Sequence, residues 1–431
     1  MEQPDNVAPI AKTEKTLFAS AVVVYTALAF VCHSDTLIWD EARYIECAGN
    51  LSKGWLASAN NTDFVNGPGY PIVLWPFVAT GVSLLWPRIL NGFLVAFAAV
   101  LLHRTVRHYA GTRWAAAAAL MVMLHPSLLR LGPYIMTEPL TTFCICAFLW
   151  SFTHALRAPC LSWRWIAAAA FSFGFLIMTR VIFGHVVLVM LSGSLVALLF
   201  FRGLRTALAR TALICALAFA LCIPYLAYTK AHTGQTLCWS TNGGELLYWM
   251  TSHHPGENGH WFSYDDATTL PELAPNHKAF TERVHKLSVP EREAEFSKAA
   301  REHIRTSPSA VAYNWACNIS RLFFGFPRSF QAEEIVMAPI IIFNAPLLFL
   351  LAAAVVLAVR RPRSVPTEVG ILFVMALIYF GGSTLASGLP RYFLIITPVL
   401  WLFTSTVLSR NVRLTLDDGQ NPASQPPHLS K

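Results

Sequence analysis

The sequence predicts an all-α polytopic membrane protein, on three observations. Hydrophobic residues make up 55% of the 431-residue chain and charged residues 13%, against roughly 25% charged in a soluble domain. The mean hydropathy is +0.48. Apolar runs of the length that crosses a bilayer as a helix recur along most of the chain. An ordinary soluble enzyme is thereby excluded. The net charge of +8 and the pI near 9.1 raise the question of a nucleic-acid partner. The basic residues, however, form small clusters between apolar runs rather than a continuous stripe, so they read as topology signals and no nucleic acid is expected.

The elements follow in order. About ten spans are expected, near 17–33, 88–103, 114–132, 139–156, 164–180, 182–201, 208–229, 335–359, 367–387 and 392–408. A short polar leader with Lys12 and Lys15 precedes the first run, and no small-residue cleavage site follows it. Residues 1–16 are therefore expected as an N-terminal tail and the run as a retained span. Ten spans put both termini on one side. Arg104, Arg107 and Arg113, then Arg157 and Arg164, Arg202, Arg205 and Arg210, Arg360, Arg361 and Arg363, and Arg410 and Arg413 all fall on that side, which the positive-inside rule makes the cytoplasm.

The run Tyr70 to Trp86 would reverse the sign of every later loop if it crossed. It follows Gly67-Pro68-Gly69 and has Pro71, Pro76 and Pro87 in or beside it, so a juxtamembrane or re-entrant helix on the outer side is expected. Val311 to Phe326, interrupted by Asn314, Asn318 and Arg321, is placed on the outer surface too. The organisation expected is a membrane module at 17–229 with its first outer loop at 34–87, a larger extracytoplasmic region at 230–334, C-terminal spans at 335–408, and a polar, disordered cytoplasmic tail at 409–431. Within the outer region, Pro290 to Thr306 has the acidic start and basic finish of a helix, and His253, His254 and His260 are expected to be solvated. The nine cysteines lack metal spacing and read as small buried hydrophobes, with Cys238 and Cys317 as candidates for an oxidising side.

The outer loops hold the residues that carry chemistry. Trp39-Asp40-Glu41-Ala42-Arg43-Tyr44 follows the first span. On a short helix Asp40, Arg43 and Tyr44 share a face, and a carboxylate there can serve as general base or ligate a divalent cation. A plain helix N-terminus accounts for the acidic residues equally well. Glu138 opens a span in Met136-Thr137-Glu138-Pro139; an acidic residue near membrane depth is functional by default, while Thr137-Glu138-Pro139 also makes a reasonable helix start. Arg180 and Arg391 stand at outer ends of spans, against the topological bias. Guanidinium forks match phosphate oxygens, and snorkelling to lipid headgroups is the alternative.

Several short motifs occur in one order: the acidic pair with Tyr44, then Gly67, Pro68, Tyr70 and Pro71, then Thr137-Glu138-Pro139-Leu140, then Pro390-Arg391-Tyr392. With these motifs the chain resembles the GT-C fold polyprenyl-phosphate-sugar-dependent glycosyltransferases related to protein O-mannosyltransferases and the lipid A aminoarabinose transferase. Ser240 to Leu247, with Asn242 and Gly243, resembles an outer-loop sequence of bacterial members. The resemblance implies that Asp40 is the catalytic carboxylate with Glu41 beside it, and that Glu138 is the second-loop acidic residue, helping to bind a metal or orient the acceptor. Asp40 and Glu138 are thus the implied ligands of any divalent cation. Arg43, Tyr44, Gly67, Pro68, Tyr70, Arg180, Asn242, Gly243, Arg391 and Tyr392 would contact substrate. The first-loop motif of the aminoarabinose group, D-E-T-R-Y, departs here only at Ala42. Its K-P-P segment is replaced by Asn66-Gly67-Pro68-Gly69, which loses the lysine and shifts the phosphate contact to Arg180 and Arg391.

The activity implied is transfer of a sugar from a polyprenyl-phosphate donor to an envelope acceptor, a lipid, glycan or protein. Inversion is expected, in a bacterial inner membrane with the site facing the periplasm. A transporter or flippase for a polyprenyl lipid or glycolipid is the main rival reading, and a noncatalytic assembly or polymerase-like protein of polysaccharide export is the third. Paired halves and mid-span charges, which mark transporters, are not evident in the sequence.

Overall fold

A chain inside a bilayer must satisfy its backbone polar groups internally, and helices do this within one segment. The protein, analysed as a computed structural model, is described over residues 7–34, 36–57, 63–330 and 337–412. These residues form α1 (Val7–Val31), α2 (Glu41–Leu51), α3 (Gly69–Thr80), α4 (Leu85–Ala110), α5 (Thr112–Met123), α6 (Pro126–Leu131), α7 (Glu138–Arg157), α8 (Trp163–Thr179) and α9 (Phe183–Phe200). There follow α10 (Arg205–Thr233), α11 (Gly243–Thr251), α12 (Tyr264–Thr269), α13 (Ala274–Val284), α14 (Val289–Thr306), α15 (Pro308–Phe324), α16 (Ala338–Arg360), α17 (Thr367–Ala386) and α18 (Pro390–Asn411). No strand occurs among the described residues. The fold is that of an all-α polytopic membrane protein.

Among the described residues eight helices, α1, α4, α7, α9, α10, α16, α17 and α18, are long and apolar enough to cross a membrane. The other two expected spans are shorter. The run 114–132 is cut at His125-Pro126, because a residue before proline avoids the helical region. His125 takes ψ 130°, its Nδ1 accepts the Ser127 N–H at 3.2 Å, and its Nε2 lies 2.9 Å from Asn344 Oδ1. The helix α8 has 17 residues. Both still carry the chain from one end of the bundle to the other. The doubtful run Tyr70 to Trp86, expected as one non-spanning segment, divides into a short α3 and the start of α4, which begins at Leu85 rather than at 88. With 12 residues, α3 is about 18 Å long, well short of a roughly 30 Å hydrocarbon core.

Three expectations are corrected at the edges. Helix α1 begins at Val7, so 7–16 is helix rather than polar tail. Helix α10 runs on to Thr233, past the expected end at 229. The disordered tail expected at 409–431 starts later, because α18 runs to Asn411; 413–431 lie outside the described residues.

The basic clusters gather at one end. There Arg104 pairs with Glu14 at 2.8 Å, Arg157 with Glu368 at 3.8 Å, and Arg410 Nη1 donates to the Ser364 carbonyl oxygen at 3.1 Å. Arg210 Nη1 donates to the carbonyl oxygens of Ala155, Leu156 and Ala158, satisfying acceptors that the end of α7 leaves open. Helix α18 lies in the middle of the bundle, packed against α4, α5, α7, α16 and α17. Its apolar window is 89% buried, whereas that of α1 or α16 is 22% buried and faces outward.

At the opposite end α11 to α15 enclose a small core of Tyr248, Trp249, Phe262, Leu273, Val284 and Phe296. Helix α14 starts one residue before the predicted boundary, on a capping box of Ser288 and Glu291. The histidines differ from expectation. His253 is exposed, but His254 and His260 are partly enclosed. His254 packs 5.1 Å from the ring of buried His277, which links Tyr248 Oη and Glu257 Oε1, each at 2.7 Å. Burial pushes His260 and His303 down to about 4. Cys238 and Cys317 are buried free thiols.

Candidate active site

Four charged residues from four separate connections meet at the end of the bundle opposite the basic clusters. Asp40 caps α2 and its Oδ2 lies 3.4 Å from Arg391 Nη1, at the start of α18. Glu138 begins α7, and its Oε1 is hydrogen-bonded by Arg180 Nη2, at the end of α8. The two pairs are joined through Tyr392, whose ring centroid lies 5.4 Å from the Arg391 guanidinium and 5.8 Å from that of Arg180. Beneath them Tyr44 is fully enclosed, within electrostatic reach of all four groups, and burial drives its phenol far above the ordinary range. Arg43 stands 3.9 Å from Asp40 Oδ1 and is partly exposed.

Neither carboxylate exhausts its arginine. Arg180 Nε and Arg391 Nε are buried and carry no hydrogen-bond partner, and the same holds for Glu138 Oε2 and Thr137 Oγ1. Buried donors are paired in the great majority of cases. Arg180 and Arg391 thus bring two guanidinium groups to one ring, each with a buried Nε–H that carries no hydrogen-bond partner.

Glu41, expected beside Asp40 in the chemistry, has a different setting. Its side chain is 0% exposed. Oε1 accepts from Arg88 Nη2 at 3.1 Å and from Ile135 N–H at 2.8 Å, and Oε2 accepts from Ile38 N–H at 3.0 Å. A carboxylate so engaged fixes the first loop against the second; it does not reach the surface where Asp40 stands. Adjacent residues in a turn point apart, so adjacency in sequence could not separate the two roles.

The proline-glycine motif also has a packing role. A Cβ on Gly67 would stand 2.0 Å from the Met178 carbonyl oxygen, and one on Gly69 would stand 2.8 Å from Thr179 N. Glycine at these positions lets the chain before α3 press against the two residues preceding Arg180, while Pro68 caps α3. Tyr70 is buried, packs edge-on against Tyr44 at 5.3 Å, and its hydroxyl meets Asn91 Oδ1 at 3.4 Å. Arg391 has a matching brace: a Cβ on Gly388 would overlap the Asn318 carbonyl oxygen at 2.0 Å, and Asn318 Nδ2 donates to the Thr384 carbonyl oxygen at 3.1 Å. Asn242 and Gly243 are placed elsewhere, at the start of α11. Asn242 Oδ1 accepts from Ser240 Oγ at 2.7 Å, and Thr241 next to it binds Asp63 and Phe64.

Among the described residues no three of His, Cys, Asp and Glu come together as a metal-holding group. Asp40 and Glu138 are each turned onto an arginine, and Glu138 Oε2 stays without a partner. Arg88 was missed in the sequence, although it carries the signal that singled out Arg180 and Arg391, an arginine at the outer end of an apolar helix.

No protein-family model matches the chain, and no curated protein matches it. Solved structures do. The chain is similar to the archaeal oligosaccharyltransferase AglB from Archaeoglobus fulgidus, tethered with an acceptor peptide, at a TM-score of 0.51 and 13% identity over 92% of this chain and 49% of that one. The AglB complex with an inhibitory peptide and a dolichol-phosphate gives 0.50 at 13% identity. The fold is GT-C-like. The chain spans about half the length of those AglB structures. ArnT from Cupriavidus metallidurans bound to undecaprenyl phosphate aligns at a TM-score of 0.41 and 15% identity, over 91% of this chain and 76% of that one.

Proposed function

We propose that this protein is a membrane glycosyltransferase that moves a sugar from a polyprenyl-phosphate donor to a hydroxyl-bearing acceptor at the periplasmic face of a bacterial inner membrane. The observation that carries the reading is the pair of arginine–carboxylate contacts joined at Tyr392, with both Nε–H groups buried and unpaired. In the reaction the acceptor hydroxyl gives its proton to Asp40 as its oxygen attacks the anomeric carbon. The bond from that carbon to the phosphate oxygen breaks, and the polyprenyl phosphate leaves with the electron pair. Attack opposite the leaving group inverts the anomeric centre. Arg180 and Arg391 stabilise the charge that develops on the departing phosphate, which is where preorganised donors act most strongly. Glu138 orients Arg180, and Glu41 holds the loop that presents Asp40.

One of the AglB structures named above was solved in complex with a dolichol-phosphate, which supports a lipid-phosphate donor here. The test is sugar transfer from an extracted polyprenyl-phosphate-sugar pool to cell-envelope acceptors, in membranes holding equal amounts of folded protein. Asp40→Asn is expected to lose roughly 10²- to 10⁴-fold in transfer, the usual weight of a general base. Glu138→Gln is expected to lose less. Undiminished transfer in both variants overturns the assignment in favour of a lipid transporter.

A further inference from the structure

The turn that delivers Asp40 contains a residue the reaction above does not use. Trp39 has φ +49°. The Glu41 N–H donates to the Ile38 carbonyl oxygen at 3.1 Å, closing a four-residue turn whose third position is Asp40, at φ −83° and ψ −2°. Positive φ at the second position with this geometry at the third marks a type II′ turn, and that second position ordinarily takes glycine. A bulky residue there is an outlier, and such outliers concentrate at functional sites. Burial does not explain the choice, since Trp39 is 53% exposed.

The indole has a defined setting. The Tyr134 ring meets it edge-on at 5.4 Å, and the Arg130 guanidinium lies 5.2 Å from its centroid. Tyr134 is itself fixed, because Asn91 Nδ2 donates to its carbonyl oxygen at 2.7 Å. It precedes Glu138 on the second loop by four positions. The Trp39–Tyr134 pair therefore bridges the two loops that carry the carboxylates.

We infer that Trp39, Tyr134 and Arg130 form a stacking platform for a pyranose ring, positioning one of its hydroxyls beside Asp40. The inference rests on the reading of Asp40 as the base. A pyranose has an apolar C–H face that packs on an indole and a hydroxyl edge that accepts hydrogen bonds from a guanidinium. An isoprenoid chain in the same place would bury the Arg130 charge without a partner, which is unfavourable.

The test is saturation-transfer NMR on the full chain in nanodiscs free of sugar detergent. The probes are methyl glycosides of glucose, galactose, mannose and N-acetylglucosamine, with farnesyl phosphate as the isoprenoid. Saturation is expected to reach the ring C–H protons of at least one glycoside in wild type and in Trp39→Phe. It is expected to fall by about fivefold in Trp39→Ala and Trp39→Gly, as for loss of an aromatic contact, while farnesyl phosphate is unaffected. Trp39→Gly suits the backbone of the turn, so its effect is not one of misfolding. A glycoside signal that survives Trp39→Gly, or is absent from wild type, overturns the platform. Loss confined to farnesyl phosphate overturns it in favour of an isoprenoid contact. Failure of the donor reading shows separately, as a farnesyl phosphate signal that is missing in wild type or persists in the Arg180→Ala/Arg391→Ala double variant.

Discussion

Arg88 and Glu41 form an ion pair at 3.1 Å with both side chains fully enclosed. The pair ties the first helix of the outer loop to the start of α4, and through Ile135 to the second loop. Breaking one side of a buried pair leaves an uncompensated charge and costs about 3–5 kcal/mol. Arg88→Met and Glu41→Met are each expected to lower thermal stability in detergent to that degree. The double replacement is expected to recover most of it, since an apolar pair in such a place is often neutral or better. Near-additive losses would count against the pairing.

The arginines bracketing Tyr392 differ from lysines in geometry rather than charge. Arg180→Lys and Arg391→Lys keep the charge but lose the fork and the Nε donor. Each is expected to weaken polyprenyl-phosphate binding by roughly 10- to 100-fold, the equivalent of one charge-assisted hydrogen bond. Equilibrium binding of the lipid phosphate to purified protein measures this. Unchanged affinity in both variants would show that the phosphate is held elsewhere.

Two glycines set the arginines from behind. Gly67→Ala forces the Met178 carbonyl away and with it the residues leading to Arg180, and Gly388→Ala does the same between Asn318 and Arg391. Both variants are expected to raise the donor KM by about tenfold or more, because small misplacements of binding groups have large effects. The KM of the acceptor should move less. Equal changes in both constants would point to general loss of structure.

The outer region should respond to pH through Glu245 and Glu293. Burial raises both carboxyls to about 7. A carboxyl raised in the fold contributes stability that is fully present below its ordinary value near 4.5 and is lost as pH rises through about 7. His303, lowered by burial, acts with the opposite sign as pH falls below about 6.5. Glutamine at 293 still accepts the Gly244 N–H, which Glu293 Oε2 does at 2.7 Å. Hydrogen exchange of α11 and α14 is therefore expected to show a loss of protection of order 1–3 kcal/mol between pH 4.5 and 7.5 in wild type relative to Glu245→Gln/Glu293→Gln. Parallel pH profiles would exclude the carboxyls as the cause.

The sequence made the bundle readable because the bilayer imposes one rule on every span. Apolar runs and the sidedness of the arginines located α1, α4, α7, α9, α10 and the last three helices, and with them the loops holding Asp40, Glu138, Arg180 and Arg391. The pairing of those four was not readable. Asp40 and Arg391 are 351 positions apart and Glu138 and Arg180 are 42 apart, so which carboxylate meets which guanidinium depends on how helices pack. The same holds for His254 and His260, whose polar surroundings in sequence concealed a packed core. Trp39 illustrates a third limit: its residue type argues against the turn it occupies, and only the backbone reveals the conflict.

The central place of α18 also governs how the molecule is made. Of the described helices it leaves the ribosome last, yet it is the one surrounded by the others. Its predecessors are therefore synthesised before the helix they surround. Arg391 arrives with that helix and meets Asp40, synthesised 351 residues earlier. The contact between Arg391 and Asp40 therefore forms only once α18 has been made.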